Sequence, residues 1–149
     1  MSKFVPIDKS EIWQKNFKES LQRKMSMLRK SEGVGFMEPF LKVLSQIKVF
    51  HWQTFGYAEH KALDEYYSSI SGLIDSFMET YMGRYGRVLI STPDFSIQDY
   101  SESTCKDFIE TTCLFLQSLH SNTSDSHLKN ILDEMKAATD KLKYLLTLR

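Results

Sequence analysis

The chain is poor in residues that interrupt helices. Three prolines and six glycines in 149 residues leave little room for β-turns and favour helices. Cysteine is scarce as well: Cys105 and Cys113 are the only two, eight residues apart in what reads as one helix. That is roughly 12 Å along the axis, too far for a disulfide with each other, so they read as reduced thiols in a cytosolic setting. Net charge is absent, with 19 Lys and Arg against 19 Asp and Glu, and nothing global argues for nucleic acid or a membrane surface. No apolar run approaches the roughly 18 residues that a membrane helix needs, and the opening residues lack a secretory signal pattern. The expected location is cytoplasmic.

What the chain does hold is 42% hydrophobic residues, enough for one helical core in a domain of this size. Asp8 and Glu11 have capping-box spacing, and Trp13, Phe17, Leu21, Met25 and Leu28 follow at helical intervals, which predicts an N-terminal amphipathic helix within residues 1–32. Gly33 and Gly35 break it. A second helix is predicted over about 36–54, with Phe40, Val43, Leu44, Ile47 and Phe50 on its apolar side, and a third over about 57–85, ending near Gly83 and Gly86. Residues 87–102, with Thr92-Pro93-Asp94, read as a long crossover with room for a short helix. Helices over about 103–120 and 125–148 complete an all-α four-helix bundle spanning residues 36–149.

The third helix carries the chemistry. At about 100° per residue, His60, Asp64, Asp75 and Glu79 lie within about 100° of one another around its axis. Leu63, Tyr66, Ile70, Leu73, Ile74, Phe77 and Tyr81 fill the adjoining apolar arc. Along the axis the four polar residues form two pairs, His60 with Asp64 and Asp75 with Glu79, separated by roughly 16 Å. One helix cannot bring both pairs to one metal. An identical helix crossing antiparallel about a two-fold axis near Ser69 and Ile70 brings the first pair of each chain to the second pair of its twin, giving two equivalent shared sites. Ser68, Ser71 and Gly72 are small enough for a close crossing there.

At these residues the chain resembles the Dps-type mini-ferritins of the ferritin-like superfamily. The family pattern is a His-Trp at the end of the first bundle helix and a Gly four residues after the Trp. A second helix then carries a His, an Asp four later, an Asp eleven later and a Glu four later. His51, Trp52 and Gly56 supply the first part, and His60, Asp64, Asp75 and Glu79 the second, with each helix spacing matched. The C-terminal stretch from Ser126 to Arg149 also resembles the family's last helix. The connection from Gly56 to His60 is shorter than in the family, so the second helix must be reached by a tighter corner.

The resemblance implies a ferritin-like bundle in which His51, His60 and Asp64 of one subunit meet Asp75 and Glu79 of its two-fold mate to bind and oxidise Fe(II). It also implies an iron-storing homo-oligomeric shell, of twelve subunits where the family assembly is kept. Trp52 beside the first ligand is implied to quench oxidising intermediates. Imidazole and carboxylate together suit iron and also zinc or manganese. Asp64 and Glu79 are the first choices for ligands between or beside two irons, with Asp75 and the histidines in the remaining positions. Peroxide and dioxygen both remain open as oxidant.

Each signal has an ordinary reading beside the functional one. A lone histidine is more often a structural hydrogen-bonder, isolated helix carboxylates usually form a solvated face, and Trp52 taken alone reads as core. The joint pattern favours the metal. His120 and His127 flank a Ser/Asn-rich turn and read as surface residues. Residues 1–32 hold eight Lys or Arg against four Asp or Glu, which reads as a packing or interface element rather than a DNA contact. A metal-inactive structural bundle and a DNA-compacting module stay as alternatives. A di-iron site within one subunit is disfavoured because no Glu-x-x-His pair occurs in the chain.

Overall fold

The apolar stripes read from the sequence between Phe36 and Leu146 pair into one core. The structure, a computed structural model, describes residues 34–90 and 94–148, so the amphipathic helix expected within residues 1–32 lies outside the described residues. Among the described residues there are four helices and no strand: α1 Val34–Gln53, α2 Tyr57–Tyr85, α3 Glu102–Asn122 and α4 Ser126–Leu145. The fold is all-α, and none of these helices is long and apolar enough to cross a membrane.

The helix ends follow local chemistry. Ser101 caps α3 by accepting the Thr104 backbone N–H at 3.0 Å, one of the orphan donors of a first turn. At the far end of α2, Gly86 adopts φ 90° and donates to the Met82 carbonyl at 2.8 Å, a backbone conformation that side-chain-bearing residues rarely adopt.

Each helix packs antiparallel to its neighbours around the ring α1, α2, α4, α3. Phe36 at the start of α1 meets Phe77 and Tyr81 near the end of α2, with ring centroids 5.1 and 4.8 Å apart. Phe50 at the end of α1 meets Phe108 at the start of α3, 5.9 Å away. Tyr85 at the end of α2 donates its hydroxyl to Asp125 at the N-cap of α4. The connection between α2 and α3 therefore runs the length of the bundle before α3 begins. Its described parts form no helix, contrary to the short helix for which the sequence left room. Side chains of α1 instead take up its backbone groups: Gln46 donates to the Gln98 carbonyl and accepts the Gln98 N–H, both at 2.8 Å, and Gln53 accepts the Tyr100 N–H at 2.6 Å. Gln46 is fully buried with both ends of its amide satisfied, which removes the penalty for placing it in the core.

Within the core the Tyr66 hydroxyl lies 2.9 Å from Thr139 Oγ1, whose own proton goes to the Met135 carbonyl at 2.8 Å. Tyr66 is therefore the donor. Burial pushes its pKa up to about 12, and burial followed by the charge of Glu59 pushes the buried Cys105 thiol up to about 12 as well. Both groups are neutral below their ordinary pKa values and are held neutral by the fold, so their contribution is intact near neutral pH and is lost as pH rises. The window opens near the ordinary thiol and phenol values, 9.0 and 10.0, and closes near 12. Tyr66 alone accounts for about 3 kcal/mol across it. Urea midpoints measured from pH 8 to 12 are expected to fall steadily, and Tyr66→Phe to show a shallower fall.

Candidate functional site

The corner between α1 and α2 brings His51 and His60 face to face. Three residues, Thr54 to Gly56, separate the helices, and α2 starts with the His60 N–H bonded to the Gly56 carbonyl at 2.8 Å. This is the tight corner that the short connection requires. Gly56 itself has φ −94°, and a Cβ there would meet only ordinary contacts with Glu59, so nothing among the described residues demands glycine.

The two imidazoles stack with centroids 4.0 Å apart and planes inclined by 26°. Each ring holds the other's backbone: His51 Nδ1 lies 3.1 Å from the His60 carbonyl and His60 Nδ1 lies 2.9 Å from the His51 carbonyl. A carbonyl oxygen only accepts, so both Nδ1 atoms carry hydrogen, and in the neutral rings both Nε2 atoms present lone pairs. Histidine ligands in metal sites are commonly oriented in this way, by a bond from the other ring nitrogen to a backbone carbonyl. Asp64 stands beside them, its Oδ1 3.7 Å from His51 Nε2, longer than a hydrogen bond.

Asp75 and Glu79 lie exposed further along the same helix, roughly 16 Å or more from the first pair by helix rise, and do not join it within the chain. Among the described residues no three His, Cys, Asp or Glu side chains converge as a metal would need. Between the pairs Ser68 and Gly72 are exposed and Ser71 half-buried, and a Cβ on Gly72 would meet nothing within 4 Å. The face bearing the candidate ligands runs from half-buried His60 and Asp64 to exposed Asp75 and Glu79, while Leu63, Tyr66, Ile70, Ile74, Phe77 and Tyr81 are buried.

Trp52 is 69% exposed and packs neither over the histidines nor in the core, which corrects its reading as a core residue. Tyr57 and Phe55 are exposed close by. His120 pairs with Asp133 at 3.1 Å and is part-covered, whereas His127 is exposed as expected.

Glu59 escaped the sequence reading. Its Oε2 accepts the Thr54 hydroxyl at 2.5 Å and the Tyr100 hydroxyl at 2.7 Å, linking the corner to the end of the crossover. Burial and then the bond to Glu59 push the Tyr100 phenol up to about 12. A cleft of about 760 Å³ opens behind this group, with Cys105 and Ile109 among its lining, but none of the five candidate ligands lines it. No sequence signal beyond a carboxylate in the first turn of α2 marked Glu59.

An all-helical protein with a reciprocally bonded histidine pair beside an exposed carboxylate stripe is the class defined so far. The chain belongs to the family described as "Family of unknown function (DUF5856)", whose model matches residues 51–146. That span opens on His51 and contains all five candidate ligands. No curated protein and no solved structure matches the chain.

Proposed function

We propose that this protein is a mini-ferritin of the Dps type: it binds Fe(II) at sites shared across a two-fold dimer, oxidises it, and stores the ferric product in a homo-oligomeric shell. The observation that carries this reading is the reciprocal bonding of His51 and His60, which leaves both Nε2 lone pairs free beside Asp64. The antiparallel ring of helices with one connection running the length of the bundle is compatible with a ferritin-like topology. In this reading Asp75 and Glu79 of the second subunit complete the ligand set that a single chain leaves split, and the small residues from Ser68 to Gly72 form the crossing point.

The chemistry follows from the ligand set. The histidines and Asp64 hold Fe(II), and the partner carboxylates add negative charge that favours Fe(III) once an electron has left. With peroxide as oxidant, two Fe(II) ions give one electron each, the O–O bond breaks, and two protons complete two waters. Zinc or manganese would compete for the same ligands. The Cys105 thiol lines the cleft behind Glu59, which none of the five candidate ligands lines.

The test is to add Fe(II) anaerobically to metal-free protein, admit peroxide or air, and follow ferric absorbance for wild type and Asp75→Ala/Glu79→Ala. Wild type is expected to oxidise iron well above the buffer blank and the double variant to match the blank. A wild type that matches the blank would leave a metal-inactive bundle, the structural alternative.

A further inference from the structure

The corner that presents the two histidines is short, and beside their reciprocal bonds it is held by residues outside the ligand set. Thr54 is the first residue after α1, Glu59 sits in the first turn of α2, and Tyr100 belongs to the crossover just before α3. One carboxylate oxygen, Glu59 Oε2, accepts hydroxyl protons from both of the others, at 2.5 and 2.7 Å. Gln53 extends the grip, accepting the Tyr100 backbone N–H at 2.6 Å and donating to Asp99 at 2.9 Å. Thr54 and Glu59 lie three residues after His51 and one before His60, so this bond ties together the two histidine-bearing segments. The reciprocal bonds between His51 and His60 form only if each carbonyl lies within reach of the other ring. Three elements converging on one part-buried oxygen is more than a helix start requires, since Gly56 already leads the chain into α2.

We propose that Glu59 is a positioning residue: its bonds to Thr54 and Tyr100 fix the α1–α2 corner so that His51 and His60 hold each other as Nδ1–H tautomers with both Nε2 atoms turned out as ligands. This deepens the metal reading above and rests on it for its purpose, though not for its geometry. Glu59 touches no reacting atom and acts through the two histidines. The crossover thereby becomes part of the site, because Tyr100 carries its far end to the corner.

The experiment uses the full chain with ¹⁵N-labelled histidine, metal-free, at a pH where both rings are neutral, and reads the tautomer of each ring by NMR. Co(II) is then titrated as a probe and its visible absorption followed. Wild type is expected to show both rings as Nδ1–H tautomers. Glu59→Ala and Thr54→Val/Tyr100→Phe are each expected to give mixed tautomers and to weaken Co(II) about 10- to 100-fold, the range for groups that orient a metal ligand. Glu59→Gln keeps an acceptor oxygen and is expected to retain the wild-type tautomers. Should Glu59→Ala fail to fold, the hydroxyl-deleted pair reads the same contact. Wild-type tautomers in both deletion variants, or mixed tautomers in Glu59→Gln, would overturn the positioning role. Failure of wild type to bind Co(II) would count against the metal reading instead, and the tautomers would still decide the role of Glu59.

Discussion

His51→Ala and His60→Ala are each expected to lower Fe(II) oxidation by more than about 100-fold while leaving helix content unchanged. Groups that merely orient a metal ligand are worth about 10- to 100-fold, and each of these substitutions removes more than that. Deleting the His60 ring takes away one proposed Nε2 ligand, the Nδ1 bond to the His51 carbonyl at 2.9 Å and one face of the stack. The remaining imidazole keeps its own Nδ1 bond, at 3.1 Å in the intact pair, but loses the ring that packs it. The double variant is therefore expected to be little worse than either single one, as residues acting as a unit are not additive. Stopped-flow ferric absorbance with circular dichroism on the same samples checks both halves of the expectation.

Phe77→Ala is expected to have the largest effect on stability. Its ring is 1% exposed and sits edge-on to Phe36 and Phe40 at 5.1 and 5.5 Å, with Tyr81 stacked at 6.3 Å. Truncating such a ring leaves a cavity that rigid aromatic neighbours fill poorly, and about 3–5 kcal/mol is the usual loss. That is a large share of the about 5–15 kcal/mol that holds a domain together, and at about 2–4 °C per kcal/mol the melting temperature should drop by roughly 10 °C. Trp52→Ala, at a larger but 69% exposed ring, is expected to shift it by less than about 2 °C, within the range of surface substitutions. Urea and thermal melts of the two variants side by side test whether burial, rather than aromaticity, sets the effect.

Helix positions were legible because few residues break them and the apolar period is strong. The predicted 57–85 helix coincides with α2, and the apolar arc from Leu63 to Tyr81 is buried apart from half-covered Leu73. Gln46 was not legible, since a polar residue between Leu44 and Ile47 reads as solvated until the backbone of residue 98, far away in sequence, arrives to satisfy it. Trp52 misled in the opposite sense: size and hydrophobicity argue for burial, but its neighbour His51 takes the inward position. The positions of His60, Asp64, Asp75 and Glu79 on one helix, in two separated pairs, were legible through spacing. The bonds that orient the histidines were not, because they depend on how closely the corner folds back, and neither was Glu59, whose partners Thr54 and Tyr100 come from two other segments.

The central claim is that each metal site is divided between two chains, and complementation tests it most directly. His51→Ala/His60→Ala and Asp75→Ala/Glu79→Ala are prepared separately, then unfolded, mixed in equal amounts and refolded together, and the rate of Fe(II) oxidation is measured. Each variant alone is expected to match the buffer blank. Hybrid dimers would place intact histidines of one chain opposite intact carboxylates of the other, so the mixture should recover about a quarter of the wild-type rate. A mixture that stays at the blank while refolded wild type oxidises iron, or an Asp75→Ala/Glu79→Ala variant as fast as wild type, would contradict a site shared between subunits.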